Sequence, residues 1–213
     1  MKKIGILGSA VVGQTLAQGF QQHGYEVRIG SRTPAKLADF TRSSGIAAGT
    51  FGEVGTWGEL LVLAVHGTAA LEAMTLAGAG NHRGKVVIDT TNPLAKEPPV
   101  DGVLKVFTGP NESLLERLQV AFPETRLVKA FNSVGTPTMV NPKYAGGQPT
   151  MFFCGNDAEA KAEVAEILRK FGWEPWDMGT AVAARAIEPL CQLWCIPGFR
   201  ENHWTHAFKL LWD

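Results

Sequence analysis

Lys2-Lys3-Ile4-Gly5-Ile6-Leu7-Gly8-Ser9-Ala10-Val11-Val12-Gly13-Gln14-Thr15-Leu16-Ala17 opens the chain after Met1, and the fold turns on this stretch. The apolar run 2–7 reads as a buried strand. Val12, Leu16, Ala17 and Phe20 recur at helical spacing, so 11–23 reads as an amphipathic helix. Gly24 follows where a helix ends best on glycine. Between strand and helix stands Gly8-Ser9-Ala10-Val11-Val12-Gly13, a G-x-A-x-x-G turn. Gly8 permits the tight turn, and the small Ala10 lets backbone approach a pyrophosphate. Gly13 allows close packing of helix on strand. The free N–H groups and positive helix end would then face the phosphates.

Outward from this unit, short β-rich runs alternate with amphipathic stretches, the pattern of a parallel sheet covered by helices. Strands are expected at 25–30, 46–50, 60–65, 85–89, 126–131, 151–154 and 174–178. Helices are expected at 33–42, with Pro34 in the first turn, and at 68–76, 112–121 and 157–171. Asn156 or Asp157 is placed to cap the last of these. Residues 96–110 are rich in Pro and Gly and read as loop. The remainder from Ala181 reads as helical and aromatic, with Trp194, Phe199, Trp204, Phe208 and Trp212. The expected architecture is α/β: one Rossmann-type, doubly wound, mostly parallel sheet across residues 1–213, with a C-terminal helical extension from about 181.

The end of the second strand selects the cofactor. An NAD site usually carries a carboxylate there for the ribose 2′-OH. This chain has Gly30-Ser31-Arg32-Thr33, with Lys36 one turn on. Ser31 can donate a hydrogen bond, Arg32 can stack on adenine or pair with a 2′-phosphate, and Lys36 adds charge. NADP(H) is the expected cofactor. The loops after the fourth, fifth and sixth strands should meet the nicotinamide. They carry Ala64-Val65-His66, Thr90-Thr91-Asn92-Pro93 and Phe131-Asn132-Ser133-Val134. Either asparagine could bond a carboxamide or ribose, or simply its own turn. His66 is the one candidate proton donor in this cleft, and no residue is assigned as catalytic. His203 and His206 stand near Glu201, but nothing completes a tetrahedral metal shell. A cleft that is mostly apolar suits hydride transfer between stacked rings, which needs positioning more than a base.

Charge and composition narrow the partners. Among 213 residues, 20 Lys+Arg balance 20 Asp+Glu, so no basic footprint for nucleic acid or anionic lipid is expected. The apolar run near the N-terminus stops at Gly8, too short for a signal segment, and no stretch approaches the roughly 20 apolar residues of a membrane helix. Cys154, Cys191 and Cys195 are an odd number and fit free thiols in a reducing compartment, with 191 and 195 as small core residues. A cytoplasmic location without a membrane partner is expected.

The motifs together resemble a known family. The run 2–17, Gly30-Ser31-Arg32 with Lys36, and the segments 86–94, 127–135, 151–168 and 184–194 are similar to the NADPH:coenzyme F420 oxidoreductases. They also resemble the reductase domains of the six-transmembrane ferric and cupric reductases. That resemblance implies that Ser9, Val11, Val12, Ser31, Arg32 and Lys36 bind the adenosine and phosphate parts of NADP. It implies that Ala64, Val65, Asn92 and Asn132 line the nicotinamide side, with His66, Pro93 and Ala130 beside them. It also implies a homodimer through the C-terminal helices and a small-molecule redox acceptor, F420 or a flavin such as FMN. Where the F420 oxidoreductases carry a histidine in an L-H-T-I-type segment, this chain has Phe131-Asn132-Ser133-Val134, closer to the ferric-reductase domains. Two other functions remain open from sequence: reduction of a small imine or carbonyl with His66 as proton donor, and a non-catalytic NADP(H) sensor.

Overall fold

The computed structural model describes residues 1–211 and 213; Trp212, counted above with the aromatic tail, lies outside them. Its strands are β1 (Lys3–Leu7), β2 (Glu26–Gly30), β3 (Ala47–Gly49), β4 (Leu60–Leu63), β5 (Val86–Asp89), β6 (Arg126–Lys129), β7 (Thr150–Gly155) and β8 (Glu174–Asp177). They form one sheet in the order β3-β2-β1-β4-β5-β6-β7-β8. Pairing is parallel from β3 to β6; β7 runs antiparallel to β6, and β8 parallel to β7. The order reverses between β1 and β4, which makes this a doubly wound Rossmann-type sheet with its ligand crevice at that point.

The helices are α1 (Val11–Gln22), α2 (Ala38–Ser44), α3 (Phe51–Trp57), α4 (Ala70–Ala77), α5 (Ala79–His82), α6 (Leu114–Ala121), α7 (Ala158–Lys170), α8 (Ala184–Ile187) and α9 (Pro189–Glu201). Alternation along the strands separates two cores. Ile4, Ile6, Leu60, Val62 and Ile88 pack against α1 and α7, with Leu16, Phe20 and Leu168 fully buried. Leu7, Leu61, Leu63 and Val87 pack against α3, α4, α6 and α8. Fully burying a Leu or Phe side chain is worth about 1.5–3 kcal/mol, so these two layers set the sheet's register and curvature.

Three elements differ from the sequence reading. Residues 51–57 form a helix that the pattern hid, because Gly52 and Gly55 weaken the helical signal. Gly55 is there for contact: a Cβ on it would lie 2.6 Å from the Ala77 carbonyl oxygen on α4. The readable signal was the capping box, in which Thr50 accepts from the Glu53 N–H while Glu53 accepts from the Thr50 N–H. The second correction is the tail, which is not helical beyond Glu201. Asn202 takes a left-handed φ of +54° and closes α9, and the chain doubles back. Trp204 lies against Gly198, Trp194 donates to the His206 carbonyl at 2.9 Å, and the imidazole of His206 stacks on Trp194. The tail then runs past β7, where Thr150 N–H donates to the Phe208 carbonyl. The second helix also differs: residues 34–37 form a 3-10 turn, with Pro34 at its start, and α2 follows.

The cysteines are free and buried, as the sequence reading expected; burial pushes the Cys154 thiol up to about 12. No helix among the described residues is long and apolar enough to cross a membrane.

Titratable groups in this framework give stability a defined acid limb. Burial holds His82 below its ordinary 6.5, so the unfolded chain takes up a proton there that the fold refuses. The carboxyls of Glu116, beside Arg185, and Glu174, beside Lys209, are held below 4.5. Asp157, beside Arg126, is held below 3.8. In each case the unfolded state binds more protons as pH falls, so stability declines in two stages, first through 6.5 and then below 4.5. Melting midpoints from pH 8 to 3 should show both stages, and His82→Gln should flatten only the first. A midpoint that rises on acidification would contradict this assignment.

Candidate cofactor cleft

Two cavities meet where the strand order reverses. The first, about 260 Å³, is lined by the Gly8–Ala10 turn, by Ser31, Arg32, Thr33 and Lys36, and by Glu72 opposite them. The second, about 290 Å³, is lined by Ala10, Val12, Ala64, Val65, His66, Thr90, Thr91 and Asn92. Ala10, Ala64, Val65 and His66 border both, so the two form one elongated cleft.

The turn at one end is shaped by contact. Gly8 takes a φ of +145°, and a Cβ there would come within 2.1 Å of the Ala64 carbonyl oxygen. A Cβ on Gly13 would come within 2.1 Å of the Gly8 carbonyl oxygen. Only glycine lets α1 start so close to β1 and β4. The helix start is also electrostatically open. Ala10 at the N-cap offers no side-chain acceptor, and the first turn carries no acidic residue. Thr50, Ser113 and Asp157 each cap their own helix. At α1, the N–H groups and the positive helix end are left for an outside anion, which fits a pyrophosphate. Gln14 Nε2 donates to the Ser9 carbonyl at 2.9 Å and steadies the turn.

At the adenosine end, Ser31 is buried and its Oγ accepts from Thr33 N–H, while Arg32 and Lys36 are exposed cations. Arg32 Nη1 lies 3.4 Å from both carboxylate oxygens of Glu72, on the first turn of α4. The sequence reading sought a carboxylate only at the end of β2, and this one arrives from another element.

At the other end, the loop after β5 is pinned at three successive residues. Thr90 Oγ1 donates to the Leu63 carbonyl, and Thr91 N–H and Oγ1 both donate to Asp89 Oδ1. Asn92 Nδ2 donates to the Asn132 carbonyl at 2.8 Å. Asn132 returns the contact, donating to Asn92 Oδ1 at 3.1 Å and to the Ile187 carbonyl at 2.9 Å. Of the two asparagines, Asn92 therefore borders the cavity, while Asn132 is buried behind it and braces the loop. Ala130 is likewise buried, and neither it nor Pro93 lines either cavity. Val11 is mostly exposed, and Val12 is the residue of that pair facing the cleft. His66 is exposed at the shared rim, with Nδ1 3.0 Å from Thr68 Oγ1.

Beneath the pinned loop lies a buried ion triad that the sequence reading missed. Lys129 Nζ, fully buried, is 2.6 Å from Asp89 Oδ2 and 2.9 Å from Glu188 Oε1, and donates to the Thr91 carbonyl at 2.8 Å. Glu188 in turn accepts from the N–H groups of Leu114 and Leu115 at the start of α6. Burial alone would lower the Lys129 pKa, but the two carboxylates more than offset it and its pKa is raised. Two carboxylates against one ammonium leave a negative charge, which the N-terminus of α6 and the Thr91 donors take up. The available signal was a charge inside each of three otherwise apolar runs, 86–89, 127–130 and 187–191.

A Rossmann sheet with an uncapped glycine turn, and with Arg32 and Lys36 beside it after β2, has the form of a dinucleotide-binding fold. Comparison with known proteins agrees. Residues 3–93 match the family model described as NADP oxidoreductase, coenzyme F420-dependent. A crystal structure of a candidate F420-dependent NADP reductase from Arthrobacter sp. FB24 superposes with a TM-score of 0.92 at 34% identity, covering 99% of both chains. Metalloreductase STEAP3 of Rattus norvegicus is 32% identical over 190 residues, 88% of this chain but 36% of that protein. The chain thus spans about a third of the length of the curated relatives it matches. An imine reductase from Pseudomonas sp. shares the fold at 15% identity, with a TM-score of 0.69 over 93% of this chain and 62% of that one. The chain belongs to the coenzyme F420-dependent NADP oxidoreductase family.

The triad yields a direct prediction. Lys129→Met leaves Asp89 and Glu188 buried without their cation and should cost about 3–5 kcal/mol of unfolding free energy. Urea denaturation at pH 7 measures it; a loss under about 1 kcal/mol, the scale of an exposed pair, would show the triad to be dispensable.

Proposed function

We propose that the protein passes a hydride between NADP(H) and a flat redox cofactor, a deazaflavin such as F420 or a flavin such as FMN. The carrying observation is the make-up of the nicotinamide-side cavity. Its walls are Ala10, Val12, Ala64, Val65, Thr90, Thr91, Asn92 and Leu94, with His66 as the one titratable side chain. Small apolar walls and fixed amides position rings and exclude water, and they supply no acid–base pair. Bound in the cleft, the cofactor supplies a hydride from its nicotinamide ring to the acceptor ring. A wider apolar depression of about 720 Å³ adjoins this cavity at Gly67 and gives an acceptor room, with Leu71, Phe107, Leu114 and Arg117 in its walls.

The roles follow from position. Ser9, Ala10, Val12 and Gly13 hold the pyrophosphate at the start of α1. Ser31, Arg32 and Lys36 hold the 2′-phosphate. Ala64, Val65, His66 and Asn92 seat the nicotinamide, while Asn132, Ala130 and Pro93 keep that seat rigid from behind. A homodimer is part of this reading, supported by exposed Leu193 and Phe199 on α9 and by exposed Val100 and Val103, in the loop whose Gly102 lies against Arg200 of α9. One domain over 1–213 and a cytoplasmic setting, consistent with three free thiols, complete it.

His66 favours a second reading, reduction of a small imine or carbonyl, because it stands at the rim of both cavities. Anaerobic NADPH oxidation with F420, FMN and a cyclic imine offered separately decides between them. Turnover with F420 or FMN that survives His66→Ala within about threefold supports ring-to-ring transfer. Turnover with the imine alone, lost about 100-fold or more in His66→Ala at unchanged NADPH affinity, contradicts it.

The 2′-phosphate assignment is tested separately. Arg32→Ala should weaken NADPH binding by about tenfold or more, the scale of a charge-assisted hydrogen bond, and NADH binding by much less. Equal losses for the two cofactors would overturn it.

A further inference from the structure

We propose that Glu72 is a specificity-determining residue of the adenosine end, a carboxylate that holds Arg32 until the ribose 2′-phosphate displaces it. The inference rests on the assignment of Ser31, Arg32 and Lys36 to that phosphate.

Glu72 belongs to the first turn of α4, and Arg32 to the loop after β2. Both line the 260 Å³ cavity, and Glu72 is the one carboxylate in its walls, facing Ser31, Thr33, Lys36 and His66 as well as Arg32. The guanidinium Nη1 is equidistant from Oε1 and Oε2, at 3.4 Å from each. That spacing is long for a charge-assisted bond, and both side chains are more than half exposed. The pair is therefore weak. Its ends sit on different elements, and both line the pocket that the phosphate would enter.

A phosphate dianion offers Arg32 a shorter and stronger partner than a solvated carboxylate. It displaces Glu72, but each NADPH bound first breaks the Arg32–Glu72 contact and then leaves the carboxylate near a like charge. Both effects lower NADPH affinity. NADH has a 2′-hydroxyl at that position, breaks no ion pair, and can donate to a carboxylate. Glu72 thus narrows the preference for NADPH over NADH. Exposed pairs of this kind change an equilibrium by up to about fivefold, which bounds the effect.

The test is a fluorescence titration of NADPH and NADH with the wild type, Glu72→Gln, Arg32→Ala and the double variant. Glu72→Gln should tighten NADPH about two- to fivefold and leave NADH unchanged or slightly weaker. In the Arg32→Ala background the gain should shrink, because only the repulsion between Glu72 and the phosphate remains. No gain in Glu72→Gln, with Arg32→Ala still selectively impairing NADPH, overturns this inference alone. A gain that persists undiminished without Arg32 also overturns it, since Glu72 would then act on the phosphate directly. Equal losses of NADPH and NADH in Arg32→Ala overturn the phosphate assignment, and the inference with it.

Discussion

Lys129 is a full positive charge with no access to water, and three parts of the molecule meet on it. Asp89 ends β5, Thr91 belongs to the cleft loop, and Glu188 joins α8 to α9. Its ammonium lies within 3 Å of one oxygen from each of these three segments, so its charge is compensated only when all of them are in place. Glu188 extends the constraint to α6 through two backbone N–H groups. Replacing such a triad by apolar packing could hold the layers equally well. The triad adds directionality: it fixes the height of the loop over β5 and docks the C-terminal helices against the sheet in one register. The bond from Asn132 to the Ile187 carbonyl, one residue before Glu188, reinforces the same junction.

The opposite end of the cleft depends on polar groups left free. A helix start without a cap ordinarily forgoes about 1 kcal/mol, and α1 does so while the chain caps α3, α6 and α7 with side chains. The turn is locked by glycine contacts that admit no Cβ, so its open N–H groups are a rigid feature and not a frayed end. On the proposed reading, one end of the cleft receives charge and the other, braced by the pinned loop, holds a ring. That division matches a dinucleotide whose phosphates bind and whose nicotinamide reacts.

Much of this was legible in the sequence because it is local. The β1 turn, the alternating apolar strands and the Asp157 cap each depend on residues a few positions apart, and periodicity reports such features directly. The helix at 51–57 was lost because its glycines serve contact with α4, which lies about twenty residues on. Asn132 stands in the loop after β6, at the rim where sequence alone allows either a cofactor contact or a turn residue. Its burial depends on Asn92 and Ile187, which the chain brings in from both directions. The Glu72 carboxylate and the Lys129 triad were invisible for the same reason: each is a meeting of residues 38 or more positions apart, and only the folded sheet defines it. The aromatic tail misled by composition. Trp204 and His206 pack back onto Trp194 of α9 through ring contacts that require an irregular path, and a continued helix would carry them away.

The account stands or falls on how one ligand lies in one cleft, and a crystal structure of the NADP⁺ complex measures that directly. It should show the pyrophosphate on the N–H groups opening α1 and the 2′-phosphate within hydrogen-bond distance of Ser31 and Arg32. The nicotinamide should lie between Val65–His66 and Asn92, with the Lys129 triad unchanged beneath it. A 2′-phosphate pointing to solvent away from Arg32, or a nicotinamide that does not reach the loop after β5, would contradict it.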